Sequence, residues 1–137
     1  MAKPASVLPD TNVVLRYLLA DHAEQYAQAS AFFEAVREGH RQALILESVL
    51  TECVYVLHKF YRVPRLEVAD KLRVLLHYKG IQNEDRADLV DALQRYGASK
   101  LDWVDCLLLA KEAGGKFEVF SFDADLRKKQ PPHTKSV

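Results

Sequence analysis

The stretch Leu8-Pro9-Asp10-Thr11-Asn12-Val13-Val14-Leu15-Arg16 decides the fold. A short apolar run, Ser6-Val7-Leu8, ends in an acid, and a helical pattern starts at once. In an open α/β sheet, ligands bind outside the carboxyl ends of the strands. An Asp at that point either carries charge into the crevice or caps the helix behind it; alone it allows both readings. Glu52, Asp105 and Asp123 stand at comparable places. Four carboxylates brought together cannot all stay ionised without a cation. The pattern therefore predicts a divalent metal site and metal-assisted hydrolysis.

Outward from this stretch, strand and helix signals alternate, which points to a parallel sheet covered on both faces. A strand over about 5–9 leads into a helix over about 11–19. Asp21 and Glu24 form a capping-box-like pair that opens a second helix, which carries Ala27, Phe32, Phe33 and Val36 and stops near Gly39. Gln42–Leu46 reads as the second strand. Ser48 then caps a helix to about Tyr61, with Val49, Leu50, Cys53, Val56, Leu57 and Phe60 at helical spacing and Glu52 on the margin of that stripe. Pro64 suits the first position of a helix over about 65–78. Ile81 marks a very short strand, and 85–96 is helical. Asp102 starts a helix that ends at Gly114-Gly115. Phe117–Phe122 reads as a strong strand followed by Asp123, and the remaining tail is polar.

The 137 residues suit one domain, 1–137, and 49% hydrophobic residues suffice for one core. Lys+Arg and Asp+Glu both number 19, so bulk charge does not make this a nucleic-acid-coating protein. An acidic site holding metal needs only local cations to grip phosphate. The basic run Arg127-Lys128-Lys129 fits either such a contact or a solvated surface. Cys53 and Cys106 lack C-x-x-C spacing and read as small core residues rather than a disulfide or zinc ligands. No signal-peptide core or membrane-length apolar run is present, so the expected setting is cytoplasmic with no membrane partner. His22, His40, His58, His77 and His133 show no His-x-x-x-His spacing, and His58 projects away from its helix's apolar stripe toward solvent. A Gly-rich phosphate loop and a G-x-S-x-G elbow are both missing, which disfavours nucleotide-binding folds and serine hydrolases.

Each acid also has a bland explanation. Asp102 is a good N-cap, Asp105 suits a helix dipole, Glu52 fits a boundary position, and Asp123 fits a turn. Jointly they are less easily explained that way, because Asp10 and Asp123 both follow apolar strands and Asp102 and Asp105 share a helix face at i,i+3. Thr11 and Ser121 are candidate hydroxyls for orienting carboxylates. Asn12 is a candidate for a local backbone hydrogen bond. Arg16 is placed either to reach phosphate or to form a surface salt bridge. Phe32 and Trp103 read as core.

Four blocks, in order and spacing, resemble the PIN domain family and its VapC-type toxin ribonucleases. They are Asp10-Thr11-Asn12-Val13-Val14-Leu15-Arg16-Tyr17-Leu18-Leu19, Ser48-Val49-Leu50-Thr51-Glu52-Cys53-Val54-Tyr55-Val56-Leu57, Asp102-Trp103-Val104-Asp105-Cys106-Leu107-Leu108-Leu109-Ala110, and Val119-Phe120-Ser121-Phe122-Asp123. The resemblance covers Val7 to Lys128. It implies a PIN-like three-layer α/β sandwich, with a parallel sheet of about five strands in the order 3-2-1-4-5 flanked by helices. It places Asp10 and Asp123 together at the topological switch point. It implies Mg2+ or Mn2+ held by Asp10, Glu52, Asp105 and Asp123, with Asp102 accessory; Arg16 and Arg127 are, apart from the resemblance, weak candidates for substrate contacts. RNA would be the substrate of an endoribonuclease, a VapB-like antitoxin its partner in a type II pair, and a homodimer its assembly. Pro9 departs from the family pattern, which has an aliphatic residue there. A non-catalytic interaction module of the same fold, and a DNA- or structure-specific nuclease, are the rival readings.

Overall fold

The structure, a computed structural model, describes residues 5–131. Its helices are α1 (Thr11–Leu19), α2 (Ala23–Arg37), α3 (Glu47–Tyr55) continued by a π-helical turn (Val56–Phe60), α4 (Arg65–Leu76), α5 (Arg86–Ala98), α6 (Trp103–Ala113) and α7 (Ala124–Lys128). Helix α1 starts where the extended Asp10 accepts the Val13 N–H with its side chain at 3.0 Å, and it stops at Ala20, which adopts a left-handed φ of 53°. Helix α6 runs out into Gly114-Gly115 as the sequence leads one to expect.

Three segments align in parallel, Ile81 beside Ala43 and Ala43 beside Val7. This is the third-second-first half of the expected strand order. Val7 N donates to Gln42 O (2.8 Å) and Leu44 N to Val7 O (3.0 Å); Ala43 N donates to Gly80 O (2.9 Å) and Gln82 N to Ala43 O (2.8 Å). These bonds alternate across the pair as in a parallel ladder. Beyond them a side chain takes over. The buried Asn83 accepts from Ile45 N at 2.9 Å and donates to Ile45 O at 2.7 Å, so its carboxamide stands in for the next peptide group. Pro9 lies past the last ladder bond of Val7, where its missing N–H costs nothing. Gly80 is required by close approach: a Cβ there would sit 2.0 Å from Arg41 O and 2.8 Å from Val36 O.

The core lies mainly among the helices. Helix α5 packs on α4 and α6, while α1 packs on α2 and α3. Phe33, Leu50, Leu57, Leu72, Leu93 and Trp103 are fully buried, and Phe32 packs on them half-buried, its ring edge-on to Phe33. Cys53 and Cys106 are buried free thiols, as their reading as core residues requires.

Several local expectations are corrected. Asp21 does not cap α2; His22 holds that position with a left-handed φ of 53° and no side-chain bond. The Asp21 carboxylate is taken instead by Arg16, 3.1 Å away, so the ion-pair reading of Arg16 is the one observed. Ser48 is not a cap either, because α3 already starts at Glu47 behind Leu46. Pro64 is the N-cap of α4 rather than its first helical residue. The π-helical turn changes the helical phase at Val56–Phe60. It carries His58 back toward the protein, where it is half-buried, bonds Val63 O through Nδ1 at 2.9 Å and meets the edge of Tyr96.

Among the described residues, no ladder joins Phe117–Phe122 to another strand, and Phe117, Phe120 and Phe122 are exposed. The backbone groups of Val119 pair with side chains. Its N–H donates to Glu112 Oε2 at 2.9 Å and its carbonyl accepts from Gln130 Nε2 at 3.0 Å.

Candidate active site

Asp10 and Thr11 stand at the start of α1, and Glu52 is on the exposed side of α3, against which α1 packs. The Thr11 hydroxyl donates to Glu52 Oε2 at 3.2 Å, so it orients a carboxylate as expected. The Asp10 carboxylate spends Oδ1 on the Val13 N–H. The capping and functional readings of this residue thus meet in one side chain, since the second oxygen makes no hydrogen bond with another described residue.

Asp105 lies in the first turn of α6. Its carboxyl is raised above the ordinary aspartate range, first by burial and then by the charges of Asp102 and Asp123. That coupling brings the third and fourth blocks of the sequence into one electrostatic neighbourhood. Asp102 occupies the N-cap position of α6 but makes no side-chain cap bond. Asp123 caps α7, with Oδ1 accepting from Asp125 N at 2.8 Å and Leu126 N at 3.3 Å. Ser121 Oγ accepts the Asp123 N–H at 3.0 Å, so this hydroxyl fixes the backbone of the acid rather than its carboxylate.

The two groups of acids are tied through α3 and α6. Trp103 Nε1 donates to Thr51 Oγ1 at 2.9 Å, beside Glu52 in sequence. Further along the same two helices, Lys111 pairs with Glu47 at 3.0 Å. Thr51 had no signal in the sequence beyond its adjacency to Glu52. Glu112 and Gln130 were also missed. Both are buried, and Gln130 Nε2 lies 3.2 and 3.1 Å from the two Glu112 oxygens. Together they clamp the segment that leads to Asp123. A Glu near the end of a helix ordinarily reads as solvated, so no sequence pattern gives it this role.

The remaining expected residues are placed as follows. Arg16 is mostly buried, held by Asp21 and by the Tyr61 hydroxyl at 3.2 Å. Asn12 is exposed, and its side chain makes no hydrogen bond among the described residues, so the expected local backbone bond is not formed. Arg127 is exposed and lines a shallow cavity with Ser121 and Phe122.

Among the described residues, no three His, Cys, Asp or Glu side chains form a ready-made metal cage. The donor set itself is all carboxylate oxygen, which suits a hard cation such as Mg2+ or Mn2+. Crowding of like charge at Asp105 is the condition such an ion relieves. Mg2+ takes one or two direct carboxylates and completes its shell with water, so the residues present fit the ion without a closed cage. No helix among the described residues is long and apolar enough to cross a membrane.

A family model described as "PIN domain" matches residues 7–130, and the chain belongs to that family. Among curated proteins it is similar to "VapC ribonuclease" of Aquifex aeolicus (strain VF5), 28% identical over 123 residues, covering 88% of this chain and 90% of that protein. No solved structure gives a significant match.

Proposed function

We propose that this chain is a Mg2+- or Mn2+-dependent endoribonuclease and the toxin of a VapBC-like type II toxin–antitoxin pair. The observation that carries the reading is the neighbourhood of Asp105, where burial and two further acids, Asp102 and Asp123, raise its carboxyl at the start of a helix. Membership of the PIN domain family and similarity to a VapC ribonuclease support it. Asp10, Glu52, Asp105 and Asp123 would hold the ion, with Asp102 accessory. When bound, a divalent ion supplies Lewis acidity to the phosphodiester and to the attacking water. Glu52, oriented by Thr11, positions that water. Ser121 keeps Asp123 in place, and Arg127 meets a flanking phosphate, while Arg16 stays in its ion pair with Asp21. In this reading the sheet continues past Val7 as strands four and five, which puts Asp123 next to Asp10. A cytoplasmic homodimer, silenced by a VapB-like antitoxin seated over the acids, completes it.

The test compares wild type with Asp10→Asn and Asp105→Asn on RNA, single-stranded DNA and flap DNA, each with Mn2+, Mg2+ or EDTA. The expected result is metal-dependent cleavage of RNA by wild type only, with both variants keeping the wild-type circular dichroism spectrum. Wild-type-like cleavage by either folded variant overturns the assignment. Preferential cleavage of flap DNA replaces RNA as the substrate.

A further inference from the structure

A cavity of about 580 Å3 opens directly against Asp10, between the start of α1 and the first half of α2. Its volume falls within the range of about 300–1,000 Å3 typical of small-ligand pockets. One wall is apolar, with Leu8, Val13 and Phe32. The rest of the lining includes three carboxamides, Asn12, Gln25 and Gln28, and Arg16. None of the three carboxamide side chains hydrogen-bonds another described residue, so each retains a donor and an acceptor. Gln25 and Gln28 are three apart on α2, the spacing that puts two side chains on one helix face.

Apart from Asp10 the lining holds no acid, and Arg16 is its one cation, already neutralised by Asp21. That chemistry does not suit a chain of phosphates. It suits a flat, uncharged, heteroaromatic group with hydrogen-bonding edges. Carboxamides read such edges by offering a donor and an acceptor side by side, as Asn and Gln do toward adenine. Phe32 and Leu8 offer apolar surface to its faces.

We propose that this cavity is a nucleobase subsite, in which Gln25 and Gln28 read the edge of the base next to the scissile phosphate. The identity of the ligand as RNA rests on the nuclease reading above. The subsite would make Gln25 and Gln28 determinants of which sequence is cut, with the acids determining only whether it is cut.

Two measurements test this. In the first, 15N-labelled metal-free protein is titrated with AMP, GMP, CMP, UMP and inorganic phosphate, following the side-chain amide resonances of Gln25 and Gln28. At least one nucleotide shifts them, phosphate alone does not, and the double variant Gln25→Leu/Gln28→Leu binds that nucleotide at least about tenfold more weakly, the scale of one lost bidentate base contact. Gln94→Leu, at a remote cavity on α5, binds as wild type. Equal shifts with phosphate, no shifts with any nucleotide, or unchanged affinity in the double variant overturns the proposal. In the second, a randomised RNA pool is cut with Mn2+ and sequenced; wild type favours one base at a fixed position beside the cut, and the double variant loses that preference. Cleavage with an unaltered preference sinks the subsite and leaves the nuclease reading standing. Nucleotide-specific shifts in a protein that cuts no RNA sink the nuclease reading and leave the base-binding site.

Discussion

Replacing Glu112 separates the clamp on the Asp123 segment from the acids themselves. Its Oε2 accepts from Val119 N at 2.9 Å and from Gln130 Nε2 at 3.1 Å, while Oε1 also takes Gln130 Nε2 at 3.2 Å. Gln130 has two amide hydrogens; one is shared between the Glu112 oxygens and the other goes to Val119 O at 3.0 Å. Glu112→Ala leaves the Val119 N–H and one Gln130 N–H without acceptors in a site where both long side chains are buried. Hydrogen bonds to a charged group contribute about 1.5–3 kcal/mol each, and an orphaned buried donor costs about 1–3. Non-additivity brings the total to about 3 kcal/mol, or a Tm lower by about 10 °C for a chain of this size. Glu112→Gln is milder. Its new amide group faces the Gln130 amide unless Gln130 flips, and a flip puts the Gln130 oxygen against Val119 O. One bond is lost either way, about 1 kcal/mol. Urea unfolding followed by circular dichroism reads both variants, and isothermal titration with Mn2+ reads the site. The order expected is wild type, then Gln, then Ala, with Mn2+ binding weakened in the Ala variant at temperatures where it is folded. An Ala variant within about 0.5 kcal/mol of wild type refutes the clamp. A folded Ala variant with wild-type Mn2+ affinity refutes its link to Asp123.

Gly80→Ala drives a Cβ into the carbonyls of Arg41 and Val36, so the expected result is insoluble protein or loss of the cooperative thermal transition; a Tm within a few degrees of wild type counts against the close approach. Thr51→Val strips the Trp103 indole N–H of its partner and lowers stability by about 1–3 kcal/mol, read from denaturant unfolding by the fluorescence of this lone tryptophan; unchanged stability shows that the bond between α3 and α6 contributes nothing. Tyr17 donates to Glu34 at 2.8 Å, and this bond, followed by Arg37, holds the Glu34 carboxyl below its ordinary range. A lowered carboxylate pKa adds stability that is fully present above the unfolded value and disappears as pH falls through the folded one. Tyr17→Phe therefore moves the Glu34 titration midpoint upward and flattens the acid-side loss of stability; an NMR titration with an unmoved midpoint contradicts this.

The helices were largely legible because their signals are local. Val13, Val14 and Leu15 after Asp10, and Trp103 to Ala110 before Gly114-Gly115, set the observed α1 and α6 to within a residue or two. What the sequence concealed is decided by partners at a distance. Asp21 has the composition of a cap, but Arg16 competes for its carboxylate and wins. The π-helical turn at Val56–Phe60 carries no residue type that announces it, and it changes which way His58 faces. The sheet is pinned by single residues, Val7, Ala43 and Ile81, and extended by a side chain, Asn83; period-two alternation has little to register over so short a ladder. Phe117–Phe122 has strand composition, yet Val119 finds its hydrogen bonds on Glu112 and Gln130, two polar residues that look solvated in the sequence.

Among the acids, the sequence posed helix capping and ion binding as rivals for Asp10 and Asp123. The geometry makes them compatible. At a helix start, Asp10 Oδ1 accepts one backbone N–H and Asp123 Oδ1 accepts two, and neither Oδ2 hydrogen-bonds another described residue. A carboxylate has two oxygens with about four lone-pair sites, so a cap consumes part of that capacity and restrains the rotamer of the rest. Glu52 is restrained in the same manner by Thr11 at Oε2. Only Asp105 lacks such a tether, and it is also the acid whose charge its surroundings oppose. Three carboxylates are held in place by neutral donors, and the fourth is disfavoured as an anion by burial and by the charges of Asp102 and Asp123. Removing the charge of Asp105 should therefore stabilise the metal-free fold near neutral pH, while removing Asp10 should cost the cap of α1, about 1 kcal/mol. Opposite signs of stability change for Asp105→Asn and Asp10→Ala, measured in EDTA, follow from this division; equal destabilisation by both contradicts it.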